Sequence, residues 1–123
     1  MIFDCQKAAN RLTEAERKAA VKRAAQMLAE KTAHFAKEMG VTYGRITIRE
    51  QKTRWGSCSS AGNLNYNWKL VLMPERVMDY VVIHELAHQK EMNHSARFYA
   101  VVAQQMPDYK VWQSWLKEHG REY

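Results

Sequence analysis

Three histidines and one glutamate carry the chemistry this chain could do. His84 and His88 stand four residues apart, Glu85 sits beside the first, and His94 follows six residues after the second. On an α-helix a four-residue step is about one turn, so both imidazoles leave the same face. In this H-E-x-x-H arrangement two histidines hold a zinc ion and the glutamate acts on its bound water. A catalytic zinc site takes a third protein ligand and keeps a fourth position open, and His94 is the candidate third ligand. Zinc brings the pKa of such a water towards neutrality and polarises a carbonyl. Glu85 is the candidate general base, taking the water's proton and passing it to a leaving amine. The set implies peptide-bond hydrolysis of a protein or peptide substrate, with one Zn2+ as cofactor.

Geometry constrains the third ligand. Six residues on a continuing helix turn through about 600°, which would aim His94 well away from the other two. The chain must leave the helix between His88 and His94; Asn93, which tolerates a left-handed backbone, suits the break. A peptidase also needs a donor for its oxyanion. Tyr99, Arg97, Tyr109 and the Asn63–Asn67 strand, Asn67 included, are the candidates. A free edge on that strand could bind an extended peptide by β-augmentation. The competing reading makes His84 and His88 buried histidines bonded to neighbours. It carries less weight because two histidines and a glutamate in a strongly apolar helix are costly unless something satisfies them. His34 and His119 lack partners in sequence and read as surface or supporting residues.

Around this set the elements follow from patterning. Thr13 with Glu16 forms a capping box, and Ala20, Ala24, Met27, Leu28, Lys31 and Phe35 keep a helical spacing up to a stop at Gly40; the spacing predicts a helix over 13–39. Residues 46–48 alternate as a half-buried strand does. Residues 53–62, rich in Gly and Ser, read as a loop. A second strand places Leu64, Tyr66 and Trp68 on one side and Asn63, Asn65 and Asn67 on the other, with 70–73 carrying it into the core. Pro74 suits a helix start, and the helix over 75–91 holds the His-Glu pair. Ser95 caps a helix to about 106, Pro107 ends it, and Asp108 caps a last one closed by Gly120, whose Trp112, Trp115 and Leu116 form an apolar stripe. The fold class predicted is α+β in one domain: a long N-terminal helix, a small β-sheet, the H-E-x-x-H helix and C-terminal helices.

Composition narrows the setting. At 123 residues, 46% apolar and 26% charged, the chain can bury a core without staples. Cys5 and Cys58, far apart, make no disulfide framework and fit a reducing interior. The segment Met1-Ile-Phe-Asp-Cys5 is no secretory signal, and nothing approaches a membrane span, so a cytoplasmic protein without membrane contact is expected. Residues 1–54 carry 12 Lys/Arg against 6 Asp/Glu and residues 55–123 carry 7 against 7, so the whole net charge of +6 lies in the first half. A solvated helix face accounts for it; a nucleic-acid partner is the alternative.

The motifs Thr53-Arg-Trp-Gly-Ser-Cys-Ser-Ser, Asn63-Leu-Asn-Tyr-Asn-Trp-Lys-Leu, Tyr80-Val-Val-Ile-His-Glu-Leu-Ala-His and Asn93-His-Ser-Ala-Arg-Phe-Tyr together resemble the YgjP-like metallopeptidases, a zincin group related to the SprT-like proteases. The resemblance runs from about residue 40 to 120. It implies a compact zincin fold, zinc at His84, His88 and His94, and Glu85 as catalytic base. The family commonly has β-rich sequence before the matched part, which this chain is expected to lack. Two further functions are to be weighed: a DNA-associated protease like the SprT-like relatives, and a non-catalytic zinc-binding module.

Overall fold

The long first helix, α1 (Glu14–Met39), begins as its sequence dictates. The Thr13 hydroxyl accepts from the Glu16 N–H at 3.1 Å and the Glu16 carboxylate accepts from the Thr13 N–H at 2.8 Å, satisfying two of the backbone donors a helix start leaves unpaired. Gly40 ends it at φ 71°, a left-handed conformation glycine adopts without a Cβ clash. In this computed structural model residues 7–51 and 54–123 are described. The readings made on Met1–Cys5 and Thr53 lie outside them.

Ala20, Ala24, Leu28, Thr32 and Ala36 form the buried stripe of α1. Their four-residue spacing and mostly small side chains let the helix lie close to its neighbours. Thr32, fully buried, donates to the Leu28 carbonyl at 2.6 Å and meets the Tyr66 hydroxyl at 3.0 Å. Lys31, on the inward side by spacing, reaches the rim of the interface instead and pairs with Glu75 at 2.6 Å and Asp79 at 2.7 Å.

Three strands form the sheet: β1 (Ile46–Arg49), β2 (Gly56–Cys58) and β3 (Leu64–Asn67), in the order β1-β3-β2. β1 runs parallel to β3, and β2 antiparallel to it. Two expectations are corrected here. The Gly/Ser-rich stretch contains an edge strand, β2, which three residues of weak propensity did not advertise. β3 is the central strand, so it offers no free edge; that edge belongs to β2. A third correction follows at once. Beyond Asn67 the chain turns into a 3-10 helix over Trp68–Leu72 rather than continuing as a strand, and the Asn67 side chain accepts from the Lys69 N–H at 3.0 Å to start it.

Then come α2 (Glu75–Ala87), α3 (Ala96–Gln105) and α4 (Tyr109–His119). α2 is the central helix. Val77, Met78, Val82, Ile83 and Leu86 are at most 1% exposed, because α1, β2, α3 and α4 all pack on it. Ser95 caps α3, accepting from the Phe98 N–H at 3.4 Å. Asp108 precedes α4 but makes no backbone cap; its carboxylate instead takes Arg76 at 3.0 Å and the Trp112 indole N–H at 3.1 Å. The α+β class, the long first helix and the C-terminal helices are as the sequence predicts. Among the described residues no helix is long and apolar enough to cross a membrane.

Candidate metal centre and active site

α2 ends three or four residues earlier than its pattern suggests, and that early end builds the site. His88 is its C-cap, and the next N–H groups fold back in a tightening turn: Gln89 to Leu86, Lys90 and Glu91 to Ala87. Among the described residues no non-glycine has positive φ, so the break does not use a left-handed Asn93. The turn reverses the chain and returns His94 over the helix end.

There the three imidazoles converge. One nitrogen from each lies within 4.8 Å of the others, and the Nε2 atoms of His84 and His94 are 3.3 Å apart. Two ligands of a tetrahedral zinc with bonds of about 2.0–2.1 Å are separated by about 3.3 Å, so this pair already has the spacing such an ion requires. On two of the rings the other nitrogen has a partner. His88 Nδ1 faces the Glu91 carbonyl at 3.1 Å, and His84 Nδ1 faces the Tyr80 hydroxyl at 3.3 Å. With Nδ1 engaged on these two rings, their Nε2 is left towards the centre, the outer-ligand arrangement typical of metal-binding histidines. The three residues fit a bound metal.

Phe98 supports them from beneath. Its ring, fully buried, lies 4.9, 4.5 and 4.9 Å from the rings of His84, His88 and His94. The helix that the sequence reading searched for oxyanion donors, through Arg97 and Tyr99, instead carries the floor of the site through Phe98.

Burial disfavours the charged form of two of the imidazoles. Burial, with His88 and His94 alongside, pulls His84 down to about 4. Burial also lowers His88. Glu85, 6% exposed, moves the other way: burial lifts it to about 7, against a smaller downward pull from Arg54. A carboxyl poised near neutrality is what proton transfer near pH 7 requires.

The cleft above these groups has about 340 Å³ and is lined by Arg54, Gly56, Ser57, Cys58, Met92 and the His84–Glu85–His88–His94 set. β2 forms its wall. A Cβ built on Gly56 would stand 3.0 Å from Val81 Cγ1 and 3.1 Å from both Glu85 Cγ and Oε2, so only glycine allows the strand this close to the glutamate.

The oxyanion candidates fare unequally. Asn67 is a correction: it is 2% exposed and its amide already donates to the carbonyls of Gln51 at 2.9 Å and Arg54 at 3.2 Å, so it holds the chain entering β2 and has no proton for a substrate. Arg97 is exposed on α3 and Tyr99 stacks on Tyr109 with ring centres 5.7 Å apart, its ring 6.2 Å from that of His94; none of the three lines the cleft. Arg54, Gly56 and Tyr80 do, or touch its ligands, and sequence reasoning missed them. Their signal was the Arg-Trp-Gly stretch and a tyrosine one helical turn before His84. His34 and His119 pair instead with carboxylates of nearby residues, Glu38 and Glu122.

A glutamate beside three convergent imidazoles on a small α+β frame is a metallopeptidase arrangement, and solved structures share the frame. The metallopeptidase zymogen of Pyrococcus abyssi abylysin superposes with a TM-score of 0.66 at 23% identity, over 74% of this chain and 93% of that one. The zymogen of Methanocaldococcus jannaschii jannalysin gives 0.57 at 19% identity, over 68% and 90%. At such identities the likeness is one of fold. The family is set by sequence: residues 2–119 match the YgjP-like metallopeptidase domain, and the chain belongs to that family. The match takes in α1 as well as the motifs from residue 40 onwards. No curated protein matches the chain.

Proposed function

We propose that this domain is a zinc-dependent endopeptidase in which His84, His88 and His94 hold the ion through Nε2 and Glu85 is the general base. The observation that carries the reading is the convergence of three imidazoles, His84 and His88 held towards the neutral form by burial, beside a buried glutamate whose pKa is raised to about 7. Bound there, zinc would supply Lewis acidity towards the scissile carbonyl and a nucleophilic water near neutral pH. The chain's own residues do the rest. Glu85 accepts the proton of the attacking water and delivers it to the departing amine nitrogen. Tyr80 and the Glu91 carbonyl fix the ring orientations of His84 and His88. The outer edge of β2 offers its backbone to an extended peptide, and the groove runs past the histidines towards Trp55 and Leu116, which supports cleavage within a chain. Casein digestion by zinc-loaded wild type, lost in Glu85→Gln with its zinc retained, tests this. Zinc binding with no cleavage of any protein or peptide pool would favour the non-catalytic zinc module instead.

A second reading, recruitment by nucleic acid, draws on one observation. Lys18, Lys22, Arg23 and Lys37 stay exposed along α1, while Arg17 and Lys31 are taken up by Glu50 and by Glu75 and Asp79. An anisotropy titration with a DNA duplex across salt concentrations tests it: binding that weakens steeply with salt supports recruitment, and no binding at low salt dismisses it.

A further inference from the structure

The cleft has two lobes of opposite character that meet at Glu85. The polar lobe holds the histidines, Ser57 and Cys58. The second, of about 260 Å³, shares Arg54, Gly56, His84 and Glu85 with the first but is walled by Trp55, Tyr80, Val81 and Leu116. From this geometry we infer that the second lobe is a subsite for one bulky apolar side chain of the substrate, flanking the scissile bond, with Trp55 and Leu116 setting the preference. The inference rests on the peptidase reading and names the class of substrate that the site takes.

Position along β2 is the first argument. Trp55 borders the apolar lobe alone, Ser57 and Cys58 the polar lobe alone, and Arg54 and Gly56 both, so the lobes follow one another along β2 and the two residues that lead into it. A peptide laid on that edge rises about 3.3 Å per residue with its side chains alternating between faces. With its reacting carbonyl over the histidines, a side chain within one or two residues of the bond then falls at the mouth of the apolar lobe.

The walls supply the second. Val81 is 3% and Tyr80 5% exposed, both fixed on α2. Trp55 is pinned from behind: a Cβ on Gly120 would stand 3.3 Å from its indole ring, so the C-terminal turn packs directly against it. Leu116 comes from the apolar stripe of α4 and is only half-buried. Rigid apolar walls on three sides reward an apolar occupant by removing its surface from water. A carboxylate in the lobe would adjoin Glu85, and an ammonium would face Arg54 at its rim; burying either without a matched partner is costly. Trp55 and Leu116 also line a separate cavity near the C-terminus with Lys7, Glu50, Lys69 and Arg121, so together they divide an apolar space from a charged one.

The test uses two measurements. Zinc-loaded wild type, Leu116→Trp and Trp55→Ala each digest a mixture of proteome-derived peptides, and the cut sites are read by mass spectrometry. Separately, labelled pentapeptides that differ only in a central Phe or Gly are titrated onto zinc-loaded Glu85→Gln, with and without Leu116→Trp. Expected are cut sites enriched in Phe, Leu, Met or Tyr at one position beside the bond. Binding of the Phe peptide should be about tenfold or more tighter than that of the Gly peptide. Filling the lobe with Leu116→Trp should remove both preferences, and Trp55→Ala should move the cut-site preference towards larger side chains, which keeps the test open should the first variant not fold. Cutting without apolar enrichment overturns the subsite and leaves the peptidase reading standing. Tighter Phe binding with no cutting by wild type keeps the subsite and overturns the peptidase reading. Equal binding of the two peptides overturns the subsite.

Discussion

Gly56 and Glu85 face each other across a gap too tight for a Cβ unless a neighbour shifts: a methyl group on Gly56 would lie 3.1 Å from the Glu85 Oε2 and 3.0 Å from a Val81 methyl. The strand that would hold substrate and the base that would take the attacking water's proton are thereby set at contact distance. Gly56→Ala should push β2 off α2 and turn the glutamate. Overpacking of this kind costs about 1–3 kcal/mol, so urea denaturation should show a loss in that range. Peptidase activity should fall by about a hundredfold or more, as small displacements of reacting groups do, while zinc content stays at one per chain.

Glu85→Gln separates chemistry from binding. Removing a general base typically lowers rate by about 10²–10⁴, and the variant should retain its metal.

The same substitution makes a stability prediction for the metal-free protein. Both folded and unfolded Glu85 are protonated well below pH 4.5, so burial costs nothing there. As pH rises from 4.5 to about 7 the unfolded state ionises while the folded site resists, and stability is lost by up to about 3 kcal/mol at alkaline pH. Glu85→Gln lacks that loss. Its melting temperature should exceed that of the wild type at pH 8 and match it near pH 4. His84 acts in the opposite window: its folded pKa of about 4 means that stability falls as pH drops below 6.5 and the unfolded histidine takes up its proton. The two windows overlap between about pH 4.5 and 6.5, where the opposing slopes largely offset; thermal melts of the metal-free wild type should vary little with pH there, and Glu85→Gln should uncover the His84 slope.

The convergence of His84 and His88 was legible because H-E-x-x-H needs only helix periodicity to bring two imidazoles to one face. Thr13, Glu16 and Gly40 marked α1 for the same local reason: caps act within a few residues. What escaped was decided by distant partners. β2 has a glycine, a serine and a cysteine, and becomes a strand because β3 pairs with it and α2 covers it. Asn67 reads as a polar, outward residue but is buried to hold two carbonyls of the chain before β2. The need for a break between His88 and His94 was legible, but the polar run Gln89-Lys90-Glu91 fits an exposed last helical turn as well as the tightening turn onto Leu86 and Ala87 that ends α2 at His88.

Tyr80 was the least visible of the site's supports. Its hydroxyl, which burial keeps protonated with a pKa of about 12, faces His84 Nδ1. Tyr80→Phe should weaken zinc affinity by about 10–100-fold, the usual effect of losing such a partner, measured by competition against a chelating dye. Unchanged affinity would mean that packing by Phe98 suffices to hold the ring.

The most direct test of the account compares zinc content and proteolysis in wild type, His94→Ala and Glu85→Gln. One zinc per chain in wild type and Glu85→Gln, little in His94→Ala, and peptide cleavage by wild type alone is the result expected. Cleavage that persists in Glu85→Gln, or a fully loaded wild type that cuts nothing, would contradict it.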